Sequence, residues 1–252
     1  MPSLKSSIRQ GRRCVGGWLS LGTPAIAEIL CRAGCEWVAI DLEHSPTSLE
    51  TTQALIATID GCGRSPLVRI SGHDPVQIKR VMDAGAHGII APNVRSRAEL
   101  DAIHSAMHYP PEGTRGVGLG RAQQYGAGFN EYRKWLAEEA VLIAQIEHID
   151  ALPHLDEIFE SPALDAFFIG PYDLSASMGL AGQFEAPAVT KAVEQVLAAG
   201  RKHDRTAGYH VVEPSPTELQ RRLDEGFSFV AYSVDFRMID AACRAGLGAL
   251  DG

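Results

Sequence analysis

The sequence predicts a closed (β/α)8 barrel. Three observations carry that expectation. Short apolar or β-branched runs alternate with amphipathic segments along the whole chain, eight such runs can be counted, and the 252 residues suit a fold that typically takes about 250. A doubly wound sheet is the competing arrangement, but it would more naturally use fewer strands and a glycine-rich first turn.

The expected strands are Val15–Leu21, Trp37–Leu42, Leu67–Ile70, Gly88–Pro92, Val141–Glu147, Ala166–Gly170, Ala207–Val212 and Phe229–Val234. Strands buried on both faces read as unbroken apolar runs, as Leu142-Ile143-Ala144 and Phe167-Phe168-Ile169 do. Helices are expected over Pro24–Arg32, Pro75–Ala84, Ala98–Met107, Pro187–Lys202 and Pro216–Glu225. Thr23-Pro24, Asp74-Pro75 and Ser215-Pro216 each place a capping residue before a proline at the first helical position. Gly34, Gly85, Gly200 and Gly226 read as helix-closing glycines. Pro110 to Asn130 is the one long irregular connection, a length that is usually functional in a compact domain. Its Gly116-Val117-Gly118-Leu119-Gly120 run resembles a phosphate loop but follows no strand, and is discounted.

Composition narrows the function classes. With no linker and no low-complexity run, one barrel domain is expected over residues 1–252. A net charge of −8 with no basic stripe argues against nucleic acid. The Arg12-Arg13 and Arg221-Arg222 pairs read as solvated faces. No apolar run is long enough for a membrane span, and the N-terminus lacks the apolar core of a secretory signal, so a cytoplasmic protein is expected. Five scattered cysteines (Cys14, Cys31, Cys35, Cys62, Cys243), without zinc-finger partners, fit buried thiols in a reducing compartment.

In a barrel of this kind the chemistry sits at the C-terminal ends of the strands. Trp18 lies in the first strand; Asp41, Glu43 and His44 close the second, and Arg69 the third. Gln145 and Glu147 close the fifth, Asp173 follows the sixth, and His210 ends the seventh. Each has a plain structural reading. Asp173 could cap a helix, Glu147 could cap or pair with a surface arginine, Arg69 could satisfy a buried carboxylate, and His44 could be a hydrogen-bonded structural histidine. Convergence of charged groups on one mouth favours function over packing. Two carboxylates beside a neutral glutamine, with no cysteine near, suit a hard divalent ion such as Mg2+ or Mn2+. His44 is the acid/base candidate, with Asp41 placed to orient its ring, and Arg69 supplies fixed positive charge where an oxyanion develops. None of the lysines (Lys5, Lys79, Lys134, Lys191, Lys202) sits in an apolar strand, which disfavours Schiff-base chemistry.

These residues, with Asp41-Leu42-Glu43-His44, Val68-Arg69, Tyr109 to Gly116, Gln145-Ile146-Glu147 and Ile169 to Ser175, appear in an order that resembles the HpcH/HpaI aldolases across nearly the whole chain. The resemblance implies a barrel of the phosphoenolpyruvate/pyruvate-binding type and a metal-dependent, class II pyruvate aldolase that cleaves 4-hydroxy-2-oxoacids to pyruvate and an aldehyde. It implies Glu147 and Asp173 as ligands of Mg2+ or Mn2+, with Co2+ also admissible. Gln145 and the backbone near Tyr172 and Asp173 would hold pyruvate, His44 with Asp41 would carry the proton, Arg69 would stabilise the enolate, and Trp18 would wall the pocket. It further implies a homohexamer, a trimer of dimers, with a C-terminal helix over Arg237–Leu250 exchanged onto a neighbour, and a place in aromatic or sugar-acid catabolism. At the acceptor end His210 stands where a mostly apolar wall is expected, as either an aldehyde contact or a polar rim residue. Arg121 and Tyr125 are candidates to meet a distal carboxylate, so an acidic semialdehyde or a hydroxyaldehyde is admissible. The rival readings are a lyase acting on a citramalyl- or malyl-CoA thioester, which needs a larger basic entrance, a phosphoenolpyruvate-type mutase or lyase, which calls for a cysteine near the mouth, and a non-catalytic oxoacid-binding barrel.

Overall fold

The computed structural model describes residues 3–248. Eight strands form one closed, wholly parallel barrel in sequential order: β1 (Cys14–Leu19), β2 (Trp37–Asp41), β3 (Ser65–Arg69), β4 (Gly88–Ala91), β5 (Val141–Ile146), β6 (Ala166–Ile169), β7 (Thr206–Val211) and β8 (Phe229–Val234). All eight fall where the apolar runs place them, with ends shifted by at most two residues and β8 matching at both ends. The helices are α1 (Leu4–Arg9), α2 (Pro24–Ala33), α3 (Leu49–Gly61), α4 (Pro75–Asp83), α5 (Arg97–Met107), α6 (Phe129–Glu139), α7 (Leu155–Glu160), α8 (Pro171–Ser177), α9 (Pro187–Lys202), α10 (Pro216–Asp224) and α11 (Asp235–Gly248). Among the described residues no helix is long and apolar enough to cross a membrane. The last two residues of the C-terminal helix expected over Arg237–Leu250 lie outside the described residues.

Alternation along the strands decides what the barrel interior contains. Inward positions supply Trp18, Trp37, Leu67, Ile90, Ile143, Phe168 and Phe229, which pack as one cluster with Ile8. Each large apolar side chain fully buried there contributes roughly 1.5–3 kcal/mol. Trp37 stacks on Phe229 with ring centroids 4.4 Å apart, so the interior is solid rather than a pore. Helix α1 closes the floor: Leu4 and Ile8 join that cluster, and Lys5 reaches the Ala140 carbonyl at 2.6 Å and Asp165 at 3.5 Å. Lys5 is thus a buried lysine, but it sits at the floor, opposite the expected mouth.

Several local expectations are corrected. Asp74 and Ser215 cap their helices, accepting from the backbone of Val76 and Glu218, whereas the Thr23 side chain makes no capping bond. Gly34, Gly85 and Gly226 close helices with positive φ, but Gly200 lies inside α9. A Cβ on Gly200 would stand 2.5 Å from the Phe167 ring, so the glycine is there for close helix–strand contact. The cysteines are free and mostly covered, except Cys243, which is exposed on α11.

The 110–130 connection is irregular over residues 113–119 and is tied to the floor side of the barrel through Asp60 and Asp83. It contains a 3-10 turn over Arg121–Gly126 and runs into α6. Its Arg115 is 2% exposed and bonds the Met107 carbonyl, the Tyr132 hydroxyl and Asp83. Arg121 pairs with Asp60 at 2.6 Å, beside Gly85. With Tyr125 it lines a floor-side cavity of about 520 Å3, at the opposite end of this chain from the strand ends that carry the charged cluster. A second cavity of about 630 Å3, lined by Arg12, Glu36, Asp60, Arg64 and His87, opens on the same face.

Candidate active site

The alternation that fills the interior also aims the polar residues. One step of two beyond Ala39 lies Asp41, beyond Leu67 lies Arg69, and beyond Ile143 lies Gln145. Each projects into the same mouth from the strand next to or near its neighbour. Buried Asp41 accepts from Arg69 Nε and a terminal nitrogen at 2.9 and 2.6 Å, a two-pronged pairing that matches guanidinium to carboxylate. Burial pushes the Asp41 carboxyl up, but the Arg69 hydrogen bonds and charge outweigh it and hold it below its usual value. The remaining Arg69 nitrogen meets Glu43 at 3.0 Å. The plain reading of Arg69, satisfaction of a buried carboxylate, is therefore met in full, while its cation still faces the mouth over the Trp18 ring at 5.0 Å.

His44 stands at the rim with its side chain 66% exposed. Asp41 does not orient its ring. The Asp41 carboxylate instead accepts the backbone N–H groups of Glu43 and His44, at 3.0 and 3.2 Å. The acidic group beside the imidazole is Glu43, 3.9 Å from Nε2.

Glu147, 5% exposed, accepts the Asn93 backbone N–H at 2.7 Å and the Gln145 amide nitrogen at 3.1 Å. It meets no arginine and caps no helix. Burial, followed by the negative charges of Glu43 and Asp173, pushes its carboxyl up to about 7, against the lowering pull of the Asn93 N–H. The Gln145 carbonyl oxygen is buried without a partner. Gly170 lies against the carboxylate: a Cβ there would stand 2.4 Å from Oε2. Asp173 is exposed in the first turn of α8 and is not its cap, which is Gly170. Tyr172 is exposed beside Phe184, and the first backbone N–H of α8 to find an acceptor is that of Leu174, on Gly170. The N–H groups of Tyr172 and Asp173 precede it and point out of the helix start.

Among the described residues no three His, Cys, Asp or Glu side chains converge as a ready-made metal cluster. What lies together is the buried Glu147 carboxylate and the Gln145 amide with its orphaned oxygen, with the charges of Glu43 and Asp173 near enough to raise Glu147. A buried carboxylate that resists ionisation, beside an unsatisfied oxygen, fits a hard divalent cation with few protein ligands.

His210 is not a rim residue. Its ring is stacked on Trp18, centroids 4.7 Å apart and planes 21° from parallel, with Nε2 3.1 Å from the Ser233 carbonyl oxygen. Sequence reasoning named Glu43 without a role and missed three supports. Asn93 adopts positive φ, a conformation asparagine tolerates, and so points its N–H at Glu147. Asp235 fixes the loop after β1 through the N–H groups of Ser20 and Leu21. Gly170 leaves space for Glu147. Only Asn93 had a readable signal, an asparagine directly after a strand-ending proline.

The model of the HpcH/HpaI aldolase/citrate lyase family matches residues 15–241. A 4-hydroxy-2-oxo-heptane-1,7-dioate aldolase from Shigella boydii is 35% identical over 245 residues, covering 96% of this chain and 92% of that protein. The crystal structure of an HpcH/HpaI aldolase/citrate lyase family protein from Burkholderia cenocepacia J2315 superposes with a TM-score of 0.92 at 28% identity, covering 99% of both chains. A crystal structure of a citrate synthase gives a TM-score of 0.86 at 25% identity, covering 99% of this chain and 97% of that one.

Proposed function

This chain belongs to the HpcH/HpaI aldolase/citrate lyase family, and from that premise we propose that it is a divalent-metal-dependent aldolase that reversibly cleaves 4-hydroxy-2-oxoacids to pyruvate and an aldehyde. The observation that carries this reading is the buried Glu147 carboxyl, raised to about 7 by burial, beside an orphaned Gln145 oxygen, with Arg69 at the end of β3. Glu147 and Asp173 would hold the cation, Mg2+ or Mn2+. When bound, it supplies Lewis acidity that lowers the pKa of the pyruvate methyl protons.

The chain's own residues do the rest. The N–H groups of Tyr172 and Asp173 receive the pyruvate carboxylate, and Gln145 sets the angle of the oxoacid. In the cleavage direction a base removes the proton of the 4-hydroxyl, the bond between carbons 3 and 4 breaks, and its electron pair enters the enolate. Arg69, held rigid by Asp41 and Glu43, stabilises the growing negative charge without having to move. His44, at the rim beside Glu43, carries the proton to and from the reacting oxygen. Trp18 walls the pocket.

The assembly reading is part of the same proposal. Helix α11 buries only Asp235, and its Phe236, Ile239 and Leu247 are 44%, 48% and 66% exposed. An apolar face of that size is covered in a homo-oligomer, with α11 seated on a neighbouring copy.

The test is release of pyruvate from 4-hydroxy-2-oxoacids, coupled to lactate dehydrogenase, with and without Mg2+ after exhaustive EDTA treatment. Metal-restored release is expected. Pyruvate binding without cleavage of any 4-hydroxy-2-oxoacid would leave only an oxoacid-binding barrel.

A further inference from the structure

One group in the mouth has no part in that reaction, and the backbone around it is unusual. Between β1 and β8 the register steps from Gly16–Ala231 to Trp18–Val234, so β8 accommodates one extra residue. Ser233 sits in this bulge, fully buried, with φ of 58°. Its hydroxyl donates to the Val212 carbonyl at 2.9 Å, which ties the bulge to the end of β7. Left-handed backbone at a buried non-glycine residue persists only where the surroundings enforce it, and it clusters at sites with a task.

What the bulge delivers is a carbonyl aimed at His210, 3.1 Å from Nε2. A carbonyl oxygen only accepts, so Nε2 carries the hydrogen and Nδ1 carries the lone pair. Burial, aided by the Arg69 charge, pushes the ring down to about 4, so it is neutral in use. One face of the ring is fixed against Trp18. Nδ1 takes no partner among the described residues, and it is not among the atoms sealed from solvent. The chain thus builds a tautomer-locked acceptor into the wall of the mouth.

Building on the aldolase reading, we propose that His210 Nδ1 accepts a hydrogen bond from a hydroxyl on the carbon next to the aldehyde, so that the acceptor substrates of this chain are 2-hydroxyaldehydes rather than plain alkyl aldehydes. Glycolaldehyde and propanal make a near-isosteric pair for the test, one carrying a hydroxyl where the other carries a methyl. The methyl leaves Nδ1 desolvated and unpaired, which a site built for a hydroxyl penalises.

The experiment measures kcat/KM for both aldehydes in the condensation with pyruvate. Wild type should prefer glycolaldehyde. His210→Phe keeps a ring on Trp18 without the nitrogen, and should cut the glycolaldehyde-to-propanal ratio by about tenfold. His210→Asn retains a side-chain acceptor and should keep most of the preference. An unchanged ratio in His210→Phe, or an equal loss in both variants, overturns the assignment. Deuterium exchange into the pyruvate methyl group by the wild-type, metal-loaded enzyme is run alongside. Exchange with an unchanged ratio defeats only the hydroxyl subsite, whereas absence of exchange defeats the aldolase reading beneath it.

Discussion

Arg69 and Asp41 form a two-pronged ion pair across neighbouring strands, 2.9 and 2.6 Å, with the two side chains 13% and 3% exposed. Their backbones are already in register, Asp41 beside Arg69. The pair is therefore structural and electrostatic at once. Removing the arginine leaves a buried carboxylate without its counter-charge, held by the N–H groups of Glu43 and His44. Arg69→Ala should lower aldol turnover roughly 100- to 1000-fold and cost about 3–5 kcal/mol of stability. Adding Asp41→Asn should recover stability but not turnover, read from denaturation midpoints and initial rates. Recovery of both would remove Arg69 from the chemistry.

His44 makes a separable prediction, since its exposed ring pairs with Glu43 rather than with Glu147 or Gln145. His44→Ala should slow retro-aldol cleavage by roughly 100- to 10,000-fold while Mn2+ and pyruvate affinities, followed by calorimetry, stay close to wild type. Loss of metal would make His44 a ligand.

Protons and metal compete for Glu147. With its carboxyl pushed up to about 7 by burial, the metal-free group is protonated below that pH and ionised above it. The apparent Mn2+ affinity should therefore weaken as pH falls, by about tenfold for each unit below 7, and flatten above it. Titrations between pH 5.5 and 8.5 check this, and an affinity independent of pH counts against Glu147 as a ligand. Glu147→Gln should abolish the dependence together with tight binding.

Gly170→Ala tests the cradle directly. Its methyl would stand 2.4 Å from Oε2 and 2.8 Å from Cβ of Glu147. The carboxylate has to move, so Mn2+ affinity and turnover should fall together while the circular dichroism spectrum is retained. A fully active, metal-binding Gly170→Ala enzyme would show that Glu147 is not held where the site needs it.

His104 supplies a stability test away from the mouth. Burial, and then the stacked His108 with ring centroids 4.0 Å away, push its imidazole down to about 4. Its unfolded value is about 6.5, so between those values the unfolded chain binds the extra proton. The stability tied to the neutral ring is whole above pH 6.5 and is lost as pH falls toward 4. His104→Gln should flatten the acid limb of the Tm profile, and an unchanged limb would place the sensitivity elsewhere.

The barrel was readable because its strands are buried on both faces, and continuous apolar runs such as Leu142–Ala144 mark them with little ambiguity. Helix α3 was less readable, since Thr51, Thr52 and Thr58 weaken its helical pattern. Gly200 was misread because a glycine in a helix interior looks like a terminator until the Phe167 ring is seen against it. Within the site, the carboxylates, Arg69 and Gln145 could be placed by strand-end counting. Their partners could not, because those depend on backbone direction: the positive φ of Asn93, the bulge at Ser233, and the turn that gives Asp41 the His44 N–H rather than its imidazole.

With α1 sealing the floor and aromatic rings filling the middle, the barrel has a single doorway. Whatever binds at Glu147 and Gln145 therefore comes and goes at the strand-end face, where the His44 ring stands exposed. In the proposed cleavage, both fragments would have to leave through that one face, so the donor and acceptor halves of the substrate would share a single route in and out.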